Sequence, residues 1–461
     1  MAKSDSTDSQ PLDASLDDSH LQQISSTGLG ELRASDTRLF ELLENESRRQ
    51  ANTLVMVAAS SMAPPSVLSC EGSPLSNVTT EGYPGARFHA GCEIVDEIER
   101  LAIKRAKTAF NAQYANVQPH SGSSANAVVM FGLLQPNDII MGQDLDAGGH
   151  LTHGAKPSVT SKYFRSVSYG VDSDGLLDYE SIAALAREHN PKLIICGASA
   201  YPRAIDFARF REIADEVNAY LLADISHIAG LVVAGMHDSP IDHAHITTTS
   251  TYKQLYGPRG GLILMGRDHM SLKSDSSKTL ADVIQKSLFP YFQGTPHLAS
   301  IAAKANALEL IQSTDFSTLA QRIIDSAKCL AAALDGRGYR VVTGGTDNHM
   351  VLIDTVTSLN LTGVVAERAL EMCNIIVNKN KIFDDKNSAM VTSGVRFGTN
   401  TLALRGLGIE QMVKCAELVD EVLTNVNVLG DQEFELDSTF IDAIRVKVQE
   451  LCDEFPIPNY P

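Results

Sequence analysis

Lys253 closes a run of hydroxyl-bearing residues, Thr247-Thr248-Thr249-Ser250-Thr251-Tyr252, and a turn, Gly257-Pro258-Arg259-Gly260-Gly261, follows it. Hydroxyls in such density supply hydrogen bonds and make a poor helix or strand interior, so the stretch reads as a polar platform for one lysine. A lysine withdrawn from water and set near a second cation, here Arg259, gives up its proton more readily and can form a Schiff base. The bland alternative is a solvated loop lysine. Upstream, the apolar run 219–223 ends in Asp224, as a buried strand would that delivers a carboxylate to the C-terminal edge of an α/β sheet. An acid 29 residues before a Schiff-base lysine suits pyridoxal phosphate, whose ring nitrogen needs an acidic partner if the ring is to act as an electron sink. A third piece, Ser121-Gly122-Ser123, opens an apolar helical run, and the free amides of such a helix start hold phosphate.

These pieces need a scaffold that brings strand ends together. Between 117 and 266, strands are predicted at 138–142, 163–170, 192–197, 219–224, 243–248 and 261–266, alternating with helices at 121–134, 178–188 and 207–217. That alternation predicts an α/β domain, a mostly parallel sheet wrapped by helices. Further helices are predicted at 37–51, 94–110 and 296–313, while 67–90 reads as loop-rich. From 316 onward, helices at 316–336, 362–373, 409–428 and 434–455 mix with strands at 339–343, 350–354 and 395–398, a smaller α+β domain. The expected division is a disordered tail at 1–34, an arm and large domain at 35–313, and a small domain at 314–461. The tail follows from residues 1–20, where five Ser and five Asp leave too little apolar surface to offset ordering.

Bulk properties exclude several classes. A formal charge of −18 over 461 residues repels nucleic acid and anionic membrane, so neither is an expected partner. No apolar run reaches the roughly 18 residues of a membrane span, and the acidic N-terminus does not read as a signal peptide. The seven cysteines form no CxxC pair, which favours reduced thiols, a cytoplasmic setting and no metal centre.

The chain resembles the serine hydroxymethyltransferases in Glu81-Gly82-Tyr83-Pro84-Gly85, in the runs 117–126 and 223–231, in Gly148-Gly149-His150-Leu151-Thr152-His153-Gly154, in 248–261 and in 392–399. The resemblance implies the aspartate-aminotransferase-like fold, type I of the pyridoxal-phosphate enzymes. By it, Lys253 carries the cofactor covalently, Asp224 meets the ring nitrogen and His150 stacks on the ring. His227 and Ser199 lie near the phenolic oxygen, and Ser121, Gly122, Ser123 and Ser250 hold the phosphate. Gly294 and Thr295 close the phosphate cup from a neighbouring subunit, which implies a homodimer or a tetramer with shared sites. Arg396 clamps the carboxylate of a small amino acid, glycine, serine or a β-hydroxy relative, with Arg259 and Tyr252 beside it. Glu81 is the acid/base. His120 and His153 read as structural.

Several family positions differ. The serine that helps hold the substrate carboxylate is Ala59, a tyrosine before Glu81 is Thr79, the paired tyrosines after Arg87 are Phe88 and His89, and the histidine before Lys253 is Tyr252. Phe88, with Leu145, Gly149 and Asn380, still matches the slot that takes tetrahydrofolate. Histidine as a residue type exchanges a proton near neutrality where tyrosine does so near ~10, so a histidine at 89 could itself move the proton of a larger β-hydroxyl substrate. The reading drawn from these changes is cleavage or formation of the Cα–Cβ bond of a β-hydroxy-α-amino acid by folate-independent aldolase or transaldolase chemistry, with Glu81 or His89 as the base. The alternatives are ordinary tetrahydrofolate-dependent serine/glycine interconversion and a cofactor-binding pseudoenzyme.

Overall fold

Seven strands form the main sheet, in the order Tyr114–Asn116, Gly261–Met265, Ile246–Ser250, Tyr220–Asp224, Leu193–Cys196, Ile139–Gln143, Arg165–Tyr169. They belong to a computed structural model that describes residues 19–274 and 276–460. Gly261–Met265 runs antiparallel to both neighbours, and the other four pairings are parallel. Alternate residues feed two cores. Ile194, Leu221, Leu262 and Leu264 pack with Phe110, Phe210 and Ile301, whereas Leu193, Ile195, Leu222 and Ile263 pack with Val128, Val129 and Ile284. A sheet buried on both faces needs such continuous apolar runs, which is why these strands were visible in the sequence.

The central strands start and stop within a residue or two of expectation, except that the strand expected at 243–248 begins three residues later, at Ile246, and two differences bear on the site. Tyr114–Asn116 is an edge strand of three residues that the hydropathy pattern did not mark. The hydroxyl run before Lys253, expected to suit a strand interior poorly, is the fully buried strand Ile246–Ser250. β-branched threonine fits a pleated sheet, and two of the strand's three threonine hydroxyls have partners, Thr248 Oγ1 donating to Asn126 Oδ1 at 2.6 Å and Thr249 Oγ1 to Ser250 O at 2.8 Å, while Thr247 Oγ1 is buried without one among the described residues. The stretch expected to be loop-rich holds a helix, Pro65–Glu71, and a short hairpin that pairs Gly82–Tyr83 with Ala86–Arg87.

Contacts divide the chain into Met1–Gln50 and Ala51–Pro461. In the first unit, the expected disordered stretch 1–34 is corrected in part: residues 1–18 lie outside the described residues, and His20–Ser35 is a helix. Ser19 caps it by accepting from Gln22 N at 3.2 Å, and Leu21, Ile24, Leu29 and Leu32 recur at helical spacing. In the second unit a separate core surrounds a four-stranded antiparallel sheet, Arg340–Val341, Met350–Asp354, Gly394–Gly398 and Asn378–Asn380. Leu54 and Met56 join that core, because Leu54–Val55 pairs in parallel with Ile375–Ile376. The helix Thr314–Asp335 begins at the boundary expected at 313/314, while the contacts make no division there and keep Ala51–Pro461 as one unit.

Candidate active site

The strand Tyr220–Asp224 ends in a carboxylate, and its neighbour Ile246–Ser250 leads into the turn that carries Lys253. Parallel pairing of Asp224 with Thr248 sets the two ends side by side. Beyond them lies a cavity of about 240 Å³ lined by Ser121, Gly122, Ser123, His150, His153, Ala198, Ser199, Asp224, Ser226, His227, Ser250, Tyr252, Lys253, Arg259 and Gly260. A wider cleft of 690 Å³, walled by Phe131, Lys192 and Tyr291, holds none of the residues expected to do chemistry.

Asp224 is buried and fully engaged. Its Oδ2 accepts from Asn126 Nδ2 at 2.7 Å and lies 3.1 Å from His153 Nε2, and its Oδ1 accepts from Ser226 N at 3.0 Å. Burial pushes its pKa up, but the contact with His153, the electrostatic influence of His150 and the Ser226 side chain outweigh that and hold it well below the usual carboxylate range. Asn126 bridges further, donating to Thr152 Oγ1 at 2.9 Å, and Thr152 Oγ1 lies 2.7 Å from His150 Nδ1. The His150 ring is thereby fixed. Burial lowers its pKa to about 4 against the pull of Asp224, so the ring is neutral at physiological pH. Ring nitrogens of His150 and His153 and an Asp224 oxygen all fall within 4.8 Å of one another, a cluster that no sequence spacing signalled.

The turn after Lys253 is closed from within. Thr251 N donates to Gly260 O at 3.1 Å, Thr251 Oγ1 to Pro258 O at 2.7 Å, and Tyr256 OH to Asn400 O at 3.0 Å. Lys253 is 7% exposed. Burial lowers its pKa to about 8, Asp224 opposes the shift, and the charges of Arg396 and Arg259 assist it. Arg259 itself lies 3.9 Å over the Tyr252 ring.

At the other end, Ser121 caps the helix Gly122–Leu133 by accepting from Ser124 N at 3.0 Å. The amides of Gly122 and Ser123 have no acceptor among the described residues and sit at the positive end of the helix dipole. A Cβ on Gly122 would meet Ser250 at 3.2 Å and Ser226 Oγ at 3.3 Å. These features fit pyridoxal phosphate: an anion cradle with little room for a side chain at Gly122, an ionised buried Asp224, a lysine with lowered pKa, and a buried His227 Nδ1 without a partner among the described residues in the same cavity.

Arg396 stands at the rim on the strand Gly394–Gly398. Nε and Nη2 donate to Asn378 Oδ1 at 3.2 and 3.0 Å, and Nη1 donates to Ser199 O. It is 9% exposed, and no carboxylate pairs with it among the described residues.

Besides Arg396 at the rim, four expected site residues, His89, Glu81, Gly294 and Thr295, do not line the cavity of this chain. His89 is exposed on the loop after the hairpin, since Arg87 is pulled inward to Asp96 (2.8 Å) and Glu99 (2.5 Å) and the chain turns out behind it. His89 therefore does not line the cavity of its own chain. Glu81 is half-buried outside the cavity, where a Cβ on Gly294 would lie 3.3 Å from Glu81 Oε1, and Thr295 follows on the same segment. His153, read as structural, touches Asp224 directly, while His120 is exposed. The sequence reading missed Asn126, Ser226 and Asn378. Of these, only Asn126 left a trace, as a lone amide in an apolar helical run.

The serine hydroxymethyltransferase family model matches residues 32–419. Among curated proteins, serine hydroxymethyltransferase of Legionella pneumophila (strain Corby) is 45% identical over 423 residues, covering 92% of this chain and 97% of that protein. The one from Chromohalobacter salexigens is 44% identical over 422 residues, with the same coverage. With the lysine, the carboxylate and the anion cradle in one cavity, and this match along nearly the whole chain, the chain belongs to the serine hydroxymethyltransferase family, pyridoxal-phosphate-dependent transferases of fold type I.

Proposed function

We propose that this protein makes and breaks the Cα–Cβ bond of a β-hydroxy-α-amino acid, with serine and glycine as the pair and tetrahydrofolate as the carbon acceptor. The observation that carries it is Arg396, a buried guanidinium whose described partners, Asn378 and Ser199 O, are neutral. A buried cation without a counterion calls for an anion, and the α-carboxylate of an amino acid presents two oxygens to a planar fork. The naming of relatives about 45% identical as serine hydroxymethyltransferases supports serine as the substrate.

Bound pyridoxal phosphate supplies an electron sink for the pair left on Cα when the bond breaks. The chain's own residues do the rest. The amides of Gly122 and Ser123 and the hydroxyls of Ser121 and Ser250 would hold the phosphate, Asp224 would pair with the ring nitrogen, and Lys253 would be the point of attachment. His150, neutral and anchored through Thr152, would lie on the ring, with Ser199 and His227 near its phenolic oxygen. Arg396 would turn the amino acid so that the Cα–Cβ bond stands out of the ring plane. Glu81 would take the β-hydroxyl proton. It sits beside Gly294, off the cavity of its own chain. If Gly294 and Thr295 complete a neighbouring subunit's cup, as in the family, Glu81 is carried there with them. That makes a homodimer the smallest working unit.

A second reading, folate-independent aldol cleavage, is favoured by Thr79, Phe88 and His89. All three are exposed on the segment that bears Glu81, so they would reach the same neighbouring site. Serine cleavage measured while tetrahydrofolate is varied, beside threonine-type substrates without it, separates the two. Saturable folate-dependent serine turnover above the threonine rate is the expected result. Faster folate-free cleavage of the larger substrates would overturn it.

A further inference from the structure

Lys304 lies on the buried side of the helix Leu298–Leu310 and is 2% exposed. Its ammonium has three described acceptors, all backbone carbonyls: Val117 O at 2.6 Å, Pro119 O at 3.0 Å and Gly261 O at 3.1 Å. A neutral amine has two N–H groups, so three acceptors require the charged form. Burial works against that charge and lowers the pKa to about 7, while Glu71 and Glu99 favour it. Glu71 lies on the helix Pro65–Glu71 and Glu99 on Glu93–Phe110, and His120, at the start of the cup, feels the lysine's charge.

The three carbonyls belong to two stretches that meet beneath the anion cradle. Gly261 N donates to Pro119 O at 3.0 Å, and a Cβ on Gly261 would fall 2.4 Å from Ser121 O and 3.1 Å from Gly122 N. The lysine also explains the glycine before it, since a Cβ on Gly260 would strike Lys304 Cε at 2.3 Å. One stretch leads into Ser121-Gly122-Ser123 and the other leaves the turn of Lys253, and a single buried ammonium ties them.

We propose that Lys304 is a positioning residue for the phosphate of the cofactor. Its three N–H groups hold 117–119 and Gly261 in the register that leaves the Gly122 and Ser123 amides free, and its charge adds to the positive potential under the cup. The proposal rests on the reading of that cup as the phosphate site.

The test compares how tightly apoprotein binds pyridoxal phosphate and pyridoxal, which lacks the phosphate, with inorganic phosphate as competitor. Wild type should prefer the phosphorylated form. In Lys304→Met, close to lysine in shape but without donors, that preference should fall roughly ten- to a hundredfold. Lys304→Gln should lose less and Lys304→Arg least, with affinity for pyridoxal moving less than about twofold throughout. Circular dichroism and thermal melting of the apoproteins check folding. If the Met variant does not fold, the order of Gln and Arg still decides. A preference unchanged in every variant, equal losses for both ligands, or Met closest to wild type would each overturn the role of Lys304. A wild type without preference for the phosphorylated form, and indifferent to inorganic phosphate, would instead overturn the cup itself.

Discussion

Replacing Arg396 tests the carboxylate clamp at the level of single N–H groups. A guanidinium offers five. One on Nε and one on Nη2 go to Asn378 Oδ1, at 3.2 and 3.0 Å, and one on Nη1 goes to Ser199 O. That leaves one N–H on each Nη for a carboxylate to accept. Burial lowers the pKa to about 10, so the group is still charged at neutral pH. Arg396→Gln removes the charge and the fork together and strands the substrate carboxylate in a buried site, which costs about 2–5 kcal/mol. At about 1.4 kcal/mol per decade, amino-acid affinity should fall by roughly 30- to 4,000-fold. Arg396→Lys keeps a charge but not the fork, and should lose about tenfold or more. Cofactor content should not change, because Arg396 is not among the residues lining the cofactor cavity. The assay is the cofactor's absorbance change as glycine is added to each holoenzyme. Binding within about threefold of wild type in the Gln variant would mean that the carboxylate is held elsewhere, and the reading of Arg396 would fall.

Lys253, with its pKa lowered to about 8, should make apoprotein capture pyridoxal phosphate about tenfold faster per pH unit up to that point and then level off, because only the neutral amine attacks. A rate still climbing at pH 10 would contradict the shift; borohydride should fix the cofactor on the peptide containing Lys253 and on no other. Arg87→Met should destabilise the protein by about 3–5 kcal/mol in urea unfolding, since it leaves Glu99, 1% exposed, without its cation. A loss below about 1 kcal/mol would show that Gln118, 2.8 Å from Glu99 Oε1, compensates alone.

Local signals in the chain carried much of this architecture. Runs such as 193–196 and 220–223 are apolar throughout because both sheet faces are buried, and the helices announce themselves through caps such as Asp178, Asp206 and Thr362, whose side chains accept from the first-turn amides. The order cup, carboxylate, lysine could be read as chemistry before any fold was known. The edge strand Tyr114–Asn116 could not, because three residues leave no period to detect. The helix His20–Ser35 was missed for a related reason: it has no buried residue, and hydropathy registers burial rather than helicity.

The sequence by itself pointed to the cofactor class, to Lys253 as a candidate attachment point, to Asp224 as its candidate acidic partner and to the strand ends that present them, since each depends on residue type and on neighbours a few positions away. Tertiary structure alone decided which polar groups share the cavity. His150 and His153 are both drawn in, one through Thr152 and one onto Asp224, while His89 is turned outward by the burial of Arg87. Asn126, Asn378 and Lys304 acquire their roles from partners 98, 18 and 187 residues away in sequence. The physical reason is that a hydrogen bond or a shifted pKa depends on distance and dielectric, and both are set where remote segments pack.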